Sequence, residues 1–153
     1  MENTQNILVG TDFSRASELA LDAAAILAKQ FGAMVTIAHV FDPTPFAPIA
    51  MRDGPGVEQR AVEQEVESRM REHLERLRNE KLSGVPDVKV ALVKGTSAAA
   101  GICHYAEKED VDLIVLSTHG HTGLAHLLIG SVAEKVVRHA PCPVLTLRSK
   151  AKA

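Results

Sequence analysis

Cysteine is scarce. Cys103 and Cys142 are the only two in 153 residues, too few and too far apart for a disulfide framework or a zinc knuckle. Cys103 falls in the small-residue segment from Ala98 to Ala106 and reads as a packing thiol. Cys142 stands between Pro141 and Pro143, with no neighbouring cysteine or basic cluster to activate it as a redox sensor. An excess of one charge is also missing: a net charge of -2 gives no reason to expect a nucleic-acid partner. No apolar run approaches the ~18 residues of a membrane span, so no membrane partner is expected. The first six residues, Met1 to Asn6, contain no basic segment followed by an apolar core. No signal peptide is visible, and the cytoplasm is the expected location.

Familiar catalytic signatures are absent as well. There is no Gly-x4-Gly-Lys-Ser/Thr, so no lysine is placed to reach β- and γ-phosphates as in a P-loop enzyme. Neither a Gly-x-Gly-x-x-Gly dinucleotide fingerprint nor a Gly-x-Ser-x-Gly nucleophile elbow occurs. The chain is expected to form a single domain over residues 1–153, long enough to bury a real core.

What is present is an alternation of short apolar runs with helix-period segments. Asn6 to Gly10 reads as a strand, followed by capping residues Asp12 and Ser14. A helix is expected from about Ser14 to Phe31, with Gly32 as its stop and Ala16, Leu19, Ala20, Ala23, Ile26 and Leu27 as its apolar face. Met34 to Val40 is a second strand. Residues 42–57 carry Pro43, Pro45, Pro48, Gly54, Pro55 and Gly56, which forbid regular structure, so a mobile loop is expected there.

Glu58 to Leu82 reads as a charged helix with a stripe of Val62, Val66, Met70, Leu74 and Leu77. Glu65–Arg69, Glu67–Arg71 and Glu72–Arg76 would pair on its wet side. Strands at Val88 to Val93, Val111 to Leu116 and Val144 to Leu147 alternate with helices at Ser97 to Lys108 and Ser131 to His139. Such alternation predicts an α/β protein with a parallel sheet covered on both faces. Residues 149–153 are a tail.

The chemistry concentrates between the fourth strand and the last helix, from Leu116 to Val132. Gly120, Gly123 and Gly130 lie ahead of Ser131, at a helix start. Such a loop offers unpaired backbone N–H groups and a positive dipole end to a phosphate. A structural reading also stands: Ser131 and Glu134 have the spacing of a capping box. His119 and His121 flank Gly120 and would add donors to a phosphate. With His126 they have the ligand type for a metal, but no carboxylate or thiol nearby completes the set, so none is expected. His39, His73, His104 and His139 read as ordinary surface or packed residues.

Gly120, nine further residues and Gly130-Ser131-Val132 resemble the Gly-x2-Gly-x9-Gly-Ser/Thr signature of the universal stress protein family. Ile7 to Ser14 resembles that family's opening strand and its acidic residue, and the likeness continues through His139-Ala-Pro-Cys-Pro-Val. One departure is visible, because the first glycine of the signature falls on Ser117. The resemblance implies an open five-stranded sheet in the order 3-2-1-4-5, Rossmann-like and similar to the adenine nucleotide alpha hydrolases. It implies ATP, with or without Mg, as a regulatory or sensing ligand.

Asp12 and the backbone of Val40 would hold the adenosine end, and Gly120, Gly130, Ser131 and Val132 would cradle the phosphates; Gly10, Thr11, Leu116, Ser117 and His119 complete the implied nucleotide site. It also implies a homodimer joined through Val144–Leu147. Two rival readings stand beside it. One is a stress protein that binds no nucleotide and acts through protein contacts; the other is a slow ATPase or phosphotransferase. No residue near the loop is an evident base for activating water, so weak ATPase activity at most is expected.

Overall fold

Successive apolar residues of the central strands point to opposite faces, and each strand therefore feeds two cores. In the computed structural model, which describes residues 4–46, 57–118 and 130–148, Ile7 and Val9 of β1 (Asn6–Gly10) face one layer. Leu8, between them, faces the other. The same parity holds for Val35 and Ile37 against Ala38 on β2 (Met34–Phe41), and for Leu113 and Val115 against Ile114 and Leu116 on β4 (Leu113–Ser117). A strand buried on both faces shows a continuous apolar run, which is how these three read in the sequence.

With β3 (Val88–Lys94) and β5 (Val144–Leu147), they form one parallel sheet in the order β3-β2-β1-β4-β5. Its register pairs Gly10 with Ala38, Val9 with Val115 and Leu116 with Thr146. The expected α/β class and strand order are therefore found. At the amino ends of the strands, the Asp112 carboxylate accepts from the amides of Gln5 and Asn6, both at 2.9 Å, and fastens β1 beside β4.

Four helices cover the sheet. α1 (Arg15–Phe31) starts at Ser14, whose hydroxyl accepts from the Ser17 amide, and stops at Gly32 with φ 67°. Its buried face is Ser17, Ala20, Leu21, Ala24, Ala25 and Ala28. Leu19 and Ile26, expected inside, are 40% and 66% exposed. In a segment this rich in alanine almost any stripe looks apolar, and the small residues win because they let the helix approach the sheet closely.

α2 (Val57–Lys81) reaches the core only through its second half, at Leu74 and Leu77; Val62 is exposed. Glu65 pairs with Arg69 as expected, but Glu67 turns to Lys94 at the end of β3. The second layer is built by α3 (Ala98–Lys108), capped by Ser97, and α4 (Ser131–His139). Within the proline-rich stretch, Thr44–Phe46 forms one 3-10 turn, opened by the Asp42 carboxylate accepting from the Thr44 amide. Hydrogen bonds from the Thr44 hydroxyl and then its amide hold the Asp42 carboxyl below its usual value. Residues 47–56 lie outside the described residues, as do 119–129.

Candidate functional site

The strand order reverses between β1 and β4: α1 leaves β1 on one face of the sheet, and the chain leaving β4 returns on the other. In open α/β sheets such a reversal parts two loops beyond the carboxyl ends of the strands and opens a crevice. Here that crevice encloses about 300 Å³. Its floor is Gly10, Thr11 and Asp12 from the end of β1 with Ala38, His39 and Val40 from β2. Leu116, Ser117 and Thr118 close it from β4, Ala98 and Ile102 from α3, and Gly130 to Ala133 from the start of α4.

Every site residue expected from sequence that lies among the described residues therefore borders one space: Gly10, Thr11, Asp12, Val40, Leu116, Ser117, Gly130, Ser131 and Val132. His119 and Gly120 fall outside the described residues. So do Gly123, His121 and His126.

The β1–α1 turn is tied from several sides. The Thr11 amide donates to the Ala38 carbonyl at 2.9 Å, and the Thr11 hydroxyl shares a hydrogen with Ser17 at 2.9 Å. Asp12 accepts from the amide and hydroxyl of Ser14, so its carboxylate is an Asx turn as well as a crevice wall. A Cβ at Gly10 would meet the end of the Leu116 side chain at 2.6 Å, so that side chain would have to shift to admit one.

At the other lip, the Gly130 amide donates to the Thr118 carbonyl at 2.7 Å. A Cβ on Gly130 would stand 2.5 Å from that same oxygen. Its φ of -70° is open to any residue, so glycine is needed here for close approach and not for positive φ.

Gly130 is the N-cap of α4 and makes no side-chain cap bond, and Ser131 is the first helical residue. The capping box expected of Ser131 and Glu134 is not formed; Glu134 pairs with Arg138 instead. The amides of Ser131, Val132 and Ala133 precede the first intrahelical bond, from Glu134 to Gly130, and have no protein acceptor among the described residues. They border the crevice, with the positive end of the helix dipole behind them. Among the described residues no lysine or arginine lines the space. An anion there would be met by backbone N–H groups and the Ser131 hydroxyl.

Ser117, the departure from the glycine signature, ends β4 in register with Leu147 and outside the left-handed region. Serine is unstrained there.

Sequence reasoning missed Ser17, Ala38, His39, Ala98, Ile102, Thr118 and Ala133 as crevice residues. One carried a readable signal: Ala38 shares a strand face with Val40, two residues on. The thiols take no part. Cys103 and Cys142 pack against the second core, where burial pushes both above the ordinary thiol range, helped at Cys142 by the Asp112 carboxylate.

These features define a class: an open parallel α/β protein with an anion-ready crevice at its topological switch point. The profile of the Universal stress protein family matches residues 3–148. Universal stress protein MJ0531 of Methanocaldococcus jannaschii is 33% identical over 97% of this chain and 84% of its own length. The protein MJ0577, subject of a structure-based assignment of biochemical function, superposes with a TM-score of 0.81 at 28% identity. That match covers 98% of this chain and 99% of MJ0577. A universal stress protein crystallised in complex with cAMP gives 0.68 at 25% identity, over 97% and 99%. The chain belongs to the universal stress protein family. Among the described residues no helix is long and apolar enough to cross a membrane.

Proposed function

We propose that this protein binds an adenine nucleotide, ATP in the first instance, as a regulatory or sensing ligand. The observation that carries the reading is the meeting of two features across one crevice: the Asp12 carboxylate on one lip and, on the other, the amides of Ser131 to Ala133, which have no acceptor among the described residues. The first suits a hydroxyl or amino hydrogen of adenosine; the second suits phosphates. Between them Ala38, Val40, Ile102 and Leu116 form an apolar wall suited to a flat ring. The related protein in complex with cAMP supports the adenosine half of the reading.

The described residues offer no cluster of three metal-type ligands, so Mg would arrive with the phosphates and keep its waters. Hydrolysis is not part of the reading, because no described crevice residue is a lysine or arginine that could steady a leaving phosphate.

We further propose that the protein works in the cytoplasm as a homodimer joined along β5. As the last strand of the sheet, β5 leaves one row of backbone groups open. Pairing with its own two-fold mate would satisfy both copies at once.

Mass spectrometry of nucleotide released from freshly purified, denatured protein tests the ligand. Stoichiometric ATP is the expected result. Nucleotide-free protein that also fails to bind added ATP, ADP or AMP in calorimetry would refute the reading, and time-dependent ADP production would favour an enzyme.

A further inference from the structure

Phe13 follows Asp12 directly and has φ 63°, a left-handed conformation unusual for a bulky residue. Strain of this kind persists only where the surroundings over-determine it, and it concentrates at functional sites. Here the surroundings are the edge of the first core, against which Phe13 packs, and two imidazoles. The ring of His39 lies 4.3 Å from that of Phe13, tilted by 36°. The ring of His73 stacks on Phe13 at 4.4 Å and 12°.

His39 has a second grip on the same turn. Its Nδ1 is 2.8 Å from the Thr11 carbonyl oxygen, which can only accept, so Nδ1 carries the hydrogen. The Phe13 amide in turn donates to the Thr11 hydroxyl at 3.0 Å. Asp12 thus sits between two residues held by imidazoles: Thr11 by His39, itself a crevice residue, and Phe13 by both rings. His73 is the distant member. It belongs to α2, and no described residue of that helix lines the crevice.

We propose that His73 is a positioning residue for the ligand: by stacking on Phe13 it holds the strained turn that carries Asp12. This rests on the nucleotide reading of the crevice. It also makes α2 a lever on affinity, since a shift of that helix loosens the stack and lets Phe13 relax. Asp12 then moves with it.

The test uses the full chain with His73→Ala and His73→Phe, the second keeping a flat ring to stack. An aromatic pair of this kind is worth enough to change an equilibrium by roughly fivefold. In the ligand-free protein, amide hydrogen exchange at residues 12–14 should therefore quicken by about that factor in His73→Ala and return in His73→Phe. ATP affinity should fall by the same factor, again with rescue by His73→Phe. In an Asp12→Ala background, His73→Ala should cost nothing further.

Unchanged exchange at residues 12–14 would overturn the clamp whether or not a nucleotide binds. An equal affinity loss with and without Asp12 would overturn the positioning role and leave His73 as a general stabiliser. A wild type that binds no ATP, with exchange responding as expected, would remove the nucleotide reading and leave the clamp on the turn standing.

Discussion

Gly130→Ala is the sharpest single perturbation of the crevice. The new Cβ would lie 2.5 Å from the Thr118 carbonyl oxygen and 3.4 Å from its carbon, both backbone atoms. Thr118 cannot retreat, because its own amide donates to the Leu147 carbonyl at 2.8 Å in the last rung joining β4 to β5. The start of α4 must move instead, and the bond from the Gly130 amide to Thr118 goes with it. Overpacking of this kind costs about 1–3 kcal/mol, and a lost backbone hydrogen bond about 1 kcal/mol. A combined loss of about 3 kcal/mol in a chain of this length lowers Tm by roughly 6–12 °C.

Backbone conformation adds nothing to that cost, since φ -70° and ψ 154° suit alanine. The same displacement turns the amides of Ser131 to Ala133 away, so ATP affinity should fall at least tenfold while far-UV circular dichroism stays native. Gly95→Ala is the control, because its Cβ would meet nothing closer than 3.6 Å. Thermal unfolding and titration calorimetry on both variants decide the matter. A Gly130→Ala protein that melts and binds ATP like the wild type would refute the steric argument.

The other expectations are briefer. Ser117→Gly should bind ATP at least as tightly as wild type, at a cost of about 0.5–1 kcal/mol in strand stability; a clear loss of affinity would make the serine hydroxyl a ligand. For the dimer, the bonds from Ile114 to the Pro143 carbonyl and from Thr118 to the Leu147 carbonyl aim residues 143, 145 and 147 at β4. Val144 and Thr146 therefore face the open edge. Thr146→Pro should give a monomer in analytical ultracentrifugation, and a wild type already monomeric at micromolar concentration would exclude the interface. Cys103 and Cys142, both pushed up by burial, should alkylate slowly at neutral pH, with rates still climbing above the free-thiol value of about 8.5. A plateau in rate below about pH 8 would contradict their burial.

Much of this protein was legible in its residue order, because the relevant forces are local. Short apolar runs, period-3.6 apolar patterns, Ser14 as a cap and Gly32 as a stop place nine regular elements among the described residues to within a residue or two. Gly10 to Asp12 and Gly130 to Val132 were readable for the same reason: the end of a strand and the start of a helix advertise themselves.

What could not be read depends on which surfaces meet. Leu19 and Ile26 look like core residues until the alanine face of α1 is seen against the sheet. Glu67 has a fitting partner four residues on, yet Lys94 reaches it from another element. The glycine at position 130 is clearance for the Thr118 carbonyl, a contact made across the crevice lip that residue order does not show. His39 and His73, read as ordinary residues, close on one phenyl ring from a strand and a helix 34 positions apart. Contacts at that separation depend on how the layers stack, and no local pattern encodes them.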